Sequence, residues 1–143
     1  MKLILCILCI LCSLSHGAEY SCEEVRRASC FIPQESLMSR LKFVATTQAD
    51  LNKWRMEYLK RITPEENRCA FYAAGFKNFC ESKEPKCAIG EMWFLIKPDA
   101  PDHEAHAINI WIDDKKAIHF YSVMQGEIAL TEKQIQSAYM VRW

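Results

Sequence analysis

The sequence lacks an excess of charge of either sign, and it has only one long apolar run. Of its 143 residues, 18 are lysine or arginine and 18 are aspartate or glutamate, so the formal net charge is zero. This balance gives no electrostatic basis for binding nucleic acid or an anionic membrane surface. We find no repeat, low-complexity tract, Asn-x-Ser/Thr acceptor or terminal lipidation motif. These absences favour one ordinary folded domain.

The single long apolar run lies at the amino terminus and predicts export. Leu3 to Leu14 follow Met1-Lys2, are too few to span a bilayer, and lead to small residues before Ala18. This is the pattern of a secretory signal peptide, here residues 1–17. The remaining residues, 18–143, carry 17 basic and 18 acidic groups and are enough for one domain. We therefore expect a secreted, extracellular protein without a transmembrane segment.

Five cysteines follow the expected cleavage point, and an odd number in an oxidising compartment leaves one thiol unpaired or paired between chains. Cys22 with Cys30, and Cys80 with Cys87, each enclose a short loop whose closure costs little chain entropy. We expect these two disulfides first, which leaves Cys69 as the odd thiol. The sequence does not fix the connectivity, so a disulfide from Cys69 to Cys80 or Cys87 stays open.

The order of the predicted elements, helices first and antiparallel strands afterwards, indicates an α+β domain with its helices packed on a small antiparallel sheet. Thr63 as N-cap, Pro64 at the first position and Glu66 three residues after the cap predict the start of the helix that carries Cys69. The hydrophobic pattern predicts helices over residues 36–44, 48–61, 64–80 and, after a capping box at 131–134, one more short helix, with strands over 87–96, 106–112, 117–123 and 139–143.

The most regular pattern is a hairpin that begins at His106. His106 and every second residue to Ile112 fall on one side of a two-residue period, which is typical of a half-buried strand. Four charged residues, 113–116, interrupt the pattern before it resumes. With a turn centred on Asp114 and Lys115, His106 is predicted to lie opposite Val123.

Cys69 and His106 are the candidate catalytic residues. A cysteine near a helix N-terminus followed by a histidine at a strand start is the order found in papain-like cysteine hydrolases. An imidazole within hydrogen-bond reach holds the thiol as a thiolate and later returns the proton to the leaving amine. Backbone N–H groups at the helix start, with the Asn67 side chain, are candidates for binding the oxyanion.

The residues around this pair resemble the small papain-fold domains in the carboxy-terminal half of a mushroom agglutinin and in related phage and bacterial proteins. The similarity spans roughly Glu66 to Trp143 and is carried by Arg68-Cys69-Ala70-Phe71, by Ala105 to Asp113, and by Phe120-Tyr121 leading to Gly126. It implies a papain-like core, a cysteine–histidine–glutamate triad and a proteolytic activity that depends on calcium. No other cofactor is implied.

The chain departs from that family at the third triad residue. Where the family has a glutamate, this chain has Val123, so the orienting groups left on this strand are Ser122 and Gln125. The sequence thus predicts a secreted cysteine peptidase or amidase acting on a peptide or protein. The alternative is a catalytically weak or inactive secreted binding or effector module on the same fold, which binds a secreted protein partner and uses its cysteines only as disulfide staples. A metal site at His103, Glu104 and His106 is a third interpretation, but the spacing matches no established zinc motif.

Overall fold

Four helices and seven strands are present in the residues that a computed structural model describes, 18–28, 42–65, 68–84, 86–102 and 104–143. Strands β3 to β7 form an antiparallel sheet in the order β6-β5-β4-β3-β7, and β1 pairs with β2 in a separate sheet. This architecture confirms the predicted α+β class. The elements are α1 Cys22–Ala28, α2 Gln48–Leu59, α3 Cys69–Lys83, α4 Glu132–Gln136, β1 Glu19–Ser21, β2 Lys42–Val44, β3 Ile89–Leu95, β4 Ala105–Ile112, β5 Ile118–Ser122, β6 Gly126–Ile128 and β7 Met140–Arg142.

The central strand, β4, is buried on both faces from Ala107 to Ile112, so the prediction of a half-buried strand is wrong. Ile108 and Ile110 pack in one apolar cluster with Phe43 and Trp143. Trp111, on the opposite face, belongs to a second cluster formed with α2 and α3. Successive side chains of β4 enter different apolar clusters, one on each face of the sheet. A strand with one face in water would instead alternate apolar with polar residues.

Helix α2 packs on α3 through the apolar stripe that the sequence predicts. Leu51 and Tyr58 are buried, and Trp54 and Ile62 pack against the same cluster. Gly75 of α3 is the point of closest approach, because a Cβ atom built there would lie 2.2 Å from the Tyr58 hydroxyl oxygen. The glycine inside a helical pattern therefore marks a close helix contact.

Helix α3 begins at Cys69, five residues later than the capping pattern predicts. Thr63 is outside the helix and is not its N-cap. The Tyr72 hydroxyl donates to the Thr63 carbonyl at 3.0 Å and accepts from the Glu65 N–H at 2.6 Å. These bonds give the preceding segment an alternative to helical hydrogen bonds, and they move the helix start to the cysteine itself.

The hairpin turn has three residues instead of two, so the predicted register is wrong by one. Asp113 pairs with Ala117, and its Oδ1 accepts the N–H groups of Lys115 and Ala117, both at 2.8 Å. Lys116 takes a positive φ of 66°, as expected for the last residue of a three-residue turn. Asn109 then faces Tyr121, and each later partner on β5 shifts by one position.

The predicted helix over residues 36–44 is wrong where the structure describes it, whereas the predicted capping box at residues 131–134 is present. Lys42–Val44 is a strand and not the end of a helix, while residues 36–41 lie outside the described residues. The capping box is confirmed, with the Thr131 and Gln134 side chains each bonded to the other's backbone N–H.

The structure describes both cysteines of only one predicted disulfide, and that disulfide is absent. Cys80 and Cys87 are both buried and are not joined by a disulfide, and Cys80 is a thiol whose pKa is raised by burial. For the other predicted pair, Cys30 lies outside the described residues and the Cys22 side chain is not described.

Candidate active site

Cys69 and His106 line one pocket, which lies where β4 runs on past the end of β5. It contains about 50 Å³ of space, enough for the few atoms of a reacting group but not for a whole peptide. Helix α3 contributes Cys69, Tyr72 and Ala73, and β4 contributes His106 to Ile108. The end of β5 and the residues just after it contribute Ser122 to Met124.

Cys69 is half-buried and is the first residue of α3. Arg68 is the N-cap, and its side chain makes no capping hydrogen bond; it instead pairs with Glu65 at 2.8 Å. The first N–H groups of a helix have no intrahelical acceptor, and with the helix dipole they favour negative charge at this end. The thiol and any oxyanion formed next to it therefore lie where a helix best stabilises an anion.

His106 is the second residue of β4, and it lines the pocket as a half-buried side chain. Its ring lies edge-on to Phe94, with centroids 5.7 Å apart and an interplanar angle of 85°. Burial lowers the pKa of His106, and the charge of Glu104 only partly opposes this effect. Burial therefore favours the uncharged ring, which is the form that can accept a proton.

Of the two predicted orienting groups, Ser122 lies at the pocket and Gln125 does not. Ser122 lines the pocket, and its Oγ accepts the Gln125 N–H at 3.4 Å. Gln125 is exposed and is not among the pocket residues. Asn67 lies outside the described residues. Among the described side chains, the carboxylate that acts on His106 is Glu104, two residues earlier on the same side of the chain, which the sequence suggested only as a metal ligand.

Arg55 of α2 is the residue that sequence reasoning missed. Its Nε donates to the Val123 carbonyl oxygen at 2.6 Å, and its Nη2 donates to the Met124 carbonyl oxygen. Both carbonyls belong to the chain segment that forms one wall of the pocket. A basic residue on a predicted core helix gives no signal for such a role, since its partners are backbone atoms 68 and 69 positions away.

The described residues contain no group of three or more histidine, cysteine, aspartate or glutamate side chains that could hold a metal ion, and none of their helices is long and apolar enough to cross a membrane. His103, one of the residues that suggested a metal site, is outside those residues.

Comparison with solved structures identifies the fold. A structure described as a PSL1a–E64 complex matches with a TM-score of 0.68 and 15% identity, over 87% of this chain and 51% of that chain. Polyporus squamosus lectin bound to the epitope Neu5Aca2-6Galb1-4GlcNAc matches with a TM-score of 0.63 and 16% identity, over 87% of this chain and 49% of the lectin.

At these identities the likeness establishes a shared fold, and this chain spans about half the length of either lectin. The mushroom-lectin part of the predicted resemblance is confirmed. No family model and no curated protein matches the sequence.

Proposed function

We propose that this protein is a secreted cysteine hydrolase with a papain-like core, in which Cys69 is the nucleophile and His106 is the general base and acid. The observation that carries the proposal is that a cysteine at a helix N-terminus and a histidine at a strand start, 37 positions apart in sequence, line the same pocket. The structure of PSL1a with E64, a protease inhibitor, supports it through the shared fold.

The reaction begins at the sulfur of Cys69. His106 takes the proton of Cys69 as the sulfur bonds to the carbonyl carbon of a peptide or amide, and the N–H groups at the start of α3 stabilise the resulting oxyanion. The imidazolium then gives its proton to the leaving nitrogen as the C–N bond breaks. A water molecule, deprotonated by the same ring, hydrolyses the thioester and releases the acid and the thiol.

The second candidate function is a binding module on the same fold. It is favoured by the lack of a hydrogen bond between Cys69 and His106 among the described contacts, and by the absence there of a carboxylate bonded to the imidazole. Removing the orienting carboxylate of a catalytic triad typically costs about 10⁴-fold in turnover. The binding proposal takes a secreted protein or a glycan as its ligand, since a lectin of this fold binds a sialylated epitope.

The test measures the reactivity of Cys69 in the native, unreduced protein. Iodoacetamide labelling is followed at each cysteine by peptide mass spectrometry between pH 5 and 9, in the wild type and in His106→Gln. A catalytic pair predicts fast labelling of Cys69 near neutral pH, and a several-fold loss with a shifted pH profile in the variant. Buried Cys80 is the internal control. A disulfide at Cys69, or a profile that His106→Gln leaves unchanged, would eliminate the hydrolase.

A further inference from the structure

Backbone pairing shows to which neighbouring strand each residue of β4 directs its N–H and C=O groups. The Ile112 N–H donates to the Ala88 carbonyl, and the Ile96 N–H donates to the Glu104 carbonyl, so the even-numbered residues of β4 direct their backbone groups toward β3. The odd-numbered residues direct theirs toward β5. Accordingly Asp113 bonds to Ala117, and Asn109 is paired with Tyr121.

The next hydrogen-bonded pair in this register is absent. Ala107 would face Val123, with the Ala107 N–H donating to the Val123 carbonyl, but the pairing of β4 with β5 ends at Asn109 and Tyr121. Among the described residues, no backbone hydrogen bond joins Ala107 to Val123. The interruption is notable because Ala107 is only 4% exposed, and a buried N–H without an acceptor is costly.

Arg55 occupies the acceptor that Ala107 would otherwise use. Its guanidinium bonds the carbonyls of two consecutive residues, Val123 and Met124, and so ties both to α2. The pocket with Cys69 and His106 on its walls lies in the gap between the two chain segments. The planar fork of a guanidinium suits two adjacent carbonyls better than an ammonium does.

We infer that Arg55 is a positioning residue that keeps the pocket open by preventing the hairpin from adding the pair Ala107–Val123. The opening leaves the Ala107 N–H and C=O without a partner on β5 and beside the two reactive side chains, as a donor and an acceptor for a single peptide group of a substrate. The role in catalysis rests on the proposed function; the effect on the hairpin does not.

The test compares Arg55→Ala with Lys53→Ala. Lys53 is an exposed cation on the same helix, so its removal controls for the loss of charge. Two quantities are measured at neutral pH, namely the hydrogen-exchange rate of the Ala107 amide by NMR and the rate of Cys69 alkylation by iodoacetamide. We expect Arg55→Ala to slow exchange at Ala107 at least tenfold and to slow alkylation of Cys69 several-fold, while Lys53→Ala changes neither.

The direction of the change in the two rates distinguishes a positioning role of Arg55 from a merely stabilising one. If Arg55 merely stabilises the fold, its removal loosens the segment, and both the exchange and the alkylation become faster or stay unchanged; either result overturns the inference. If Arg55→Ala does not fold, Arg55→Lys carries the test, with a smaller change of the same sign expected because an ammonium replaces the fork. Slower exchange at Ala107 in Arg55→Ala supports the inference even if neither the wild type nor any variant shows hydrolase activity. That lack of activity would refute the proposed function alone.

Discussion

The side-chain nitrogen of Asn109 lies 2.9 Å from the carbonyl oxygen of Ala73, which joins the strand of His106 directly to the helix of Cys69. The same nitrogen lies 3.2 Å from the carbonyl oxygen of Gly90 in β3. Asn109 is fully buried and only three residues from His106, and Ala73 is four residues from Cys69. This amide therefore ties together the two elements that carry the candidate site.

Replacing Asn109 with alanine is expected to lower the free energy of unfolding by about 1–3 kcal/mol, because two buried carbonyls lose a donor. The variant should also change the alkylation rate of Cys69, since α3 is no longer tied to β4. Urea denaturation measures the first effect and mass spectrometry the second. Asn78→Ala, an exposed site on α3, is the control and should stay within about 0.5 kcal/mol of the wild type. An Asn109→Ala variant as stable as this control would contradict the assignment.

The contact between Gly75 and Tyr58 gives a second prediction. Gly75→Ala places a methyl group against the Tyr58 hydroxyl, and Tyr58 is held by the rings of Phe76 and Phe79, so we expect a loss of about 1–3 kcal/mol. Removing the hydroxyl with Tyr58→Phe should make Gly75→Ala less costly. A double-mutant cycle by urea denaturation measures the coupling, and additive effects would show that the clash lies elsewhere.

The sequence was sufficient for those parts of the fold that depend on local patterns. The stripe from Leu51 to Ile62 and the capping box at Thr131 are satisfied within a few residues of the chain, and the structure contains both. The start of α3 was mispredicted because Tyr72, seven to nine residues away, holds Glu65 and Thr63 outside the helix. The capping pattern at Thr63 therefore does not start the helix, because the Tyr72 hydroxyl bonds the backbone of Thr63 and Glu65 instead.

The candidate site was predictable in its reactive pair and in Ser122, which lines the same pocket. Cys69 and His106 carry chemical signals of their own, and the structure brings them into one pocket. The hairpin register depended on Lys116 adopting a left-handed conformation, which its side chain does not indicate. Arg55 acts through backbone carbonyls distant in sequence, so no residue pattern could reveal it.

Burial predicts how the Cys80 thiol reacts. Cys80 is fully buried among apolar side chains, and burial raises its pKa, so little thiolate forms at neutral pH. Iodoacetamide should modify it in the native protein at least a hundredfold more slowly than in urea, whereas the half-buried Cys69 should differ far less between the two conditions. Labelling of each cysteine, resolved by mass spectrometry, checks this. Equal native rates at both sites would show that the α2–α3 cluster opens readily.

The two described histidines lie in contrasting environments. His119 stacks on Trp111, with ring centroids 4.4 Å apart, and its two ring nitrogens lie 3.1 Å from an Asp113 carboxylate oxygen and 2.7 Å from a Glu127 carboxylate oxygen. Burial acts against the imidazolium, but the bonds to both carboxylates outweigh it and raise the pKa of His119. His106 lacks such bonds, and burial lowers its pKa. His119 is half-buried, with 26% of its side chain accessible.

These opposite shifts predict opposite dependences of stability on pH. His119 binds its proton more tightly in the folded protein, so its contribution is complete below the unfolded pKa of about 6.5 and is lost as the pH rises through the folded value. His106 releases its proton more easily when folded, so its contribution is present above about pH 6.5 and is lost as the pH falls through the folded value. Each slope is at most about 1.4 kcal/mol per pH unit. Urea denaturation from pH 5 to 8 should therefore show that His119→Gln removes a decrease of stability with pH, and that His106→Gln removes an increase. Two slopes of the same sign would mean that one of the two environments is misassigned.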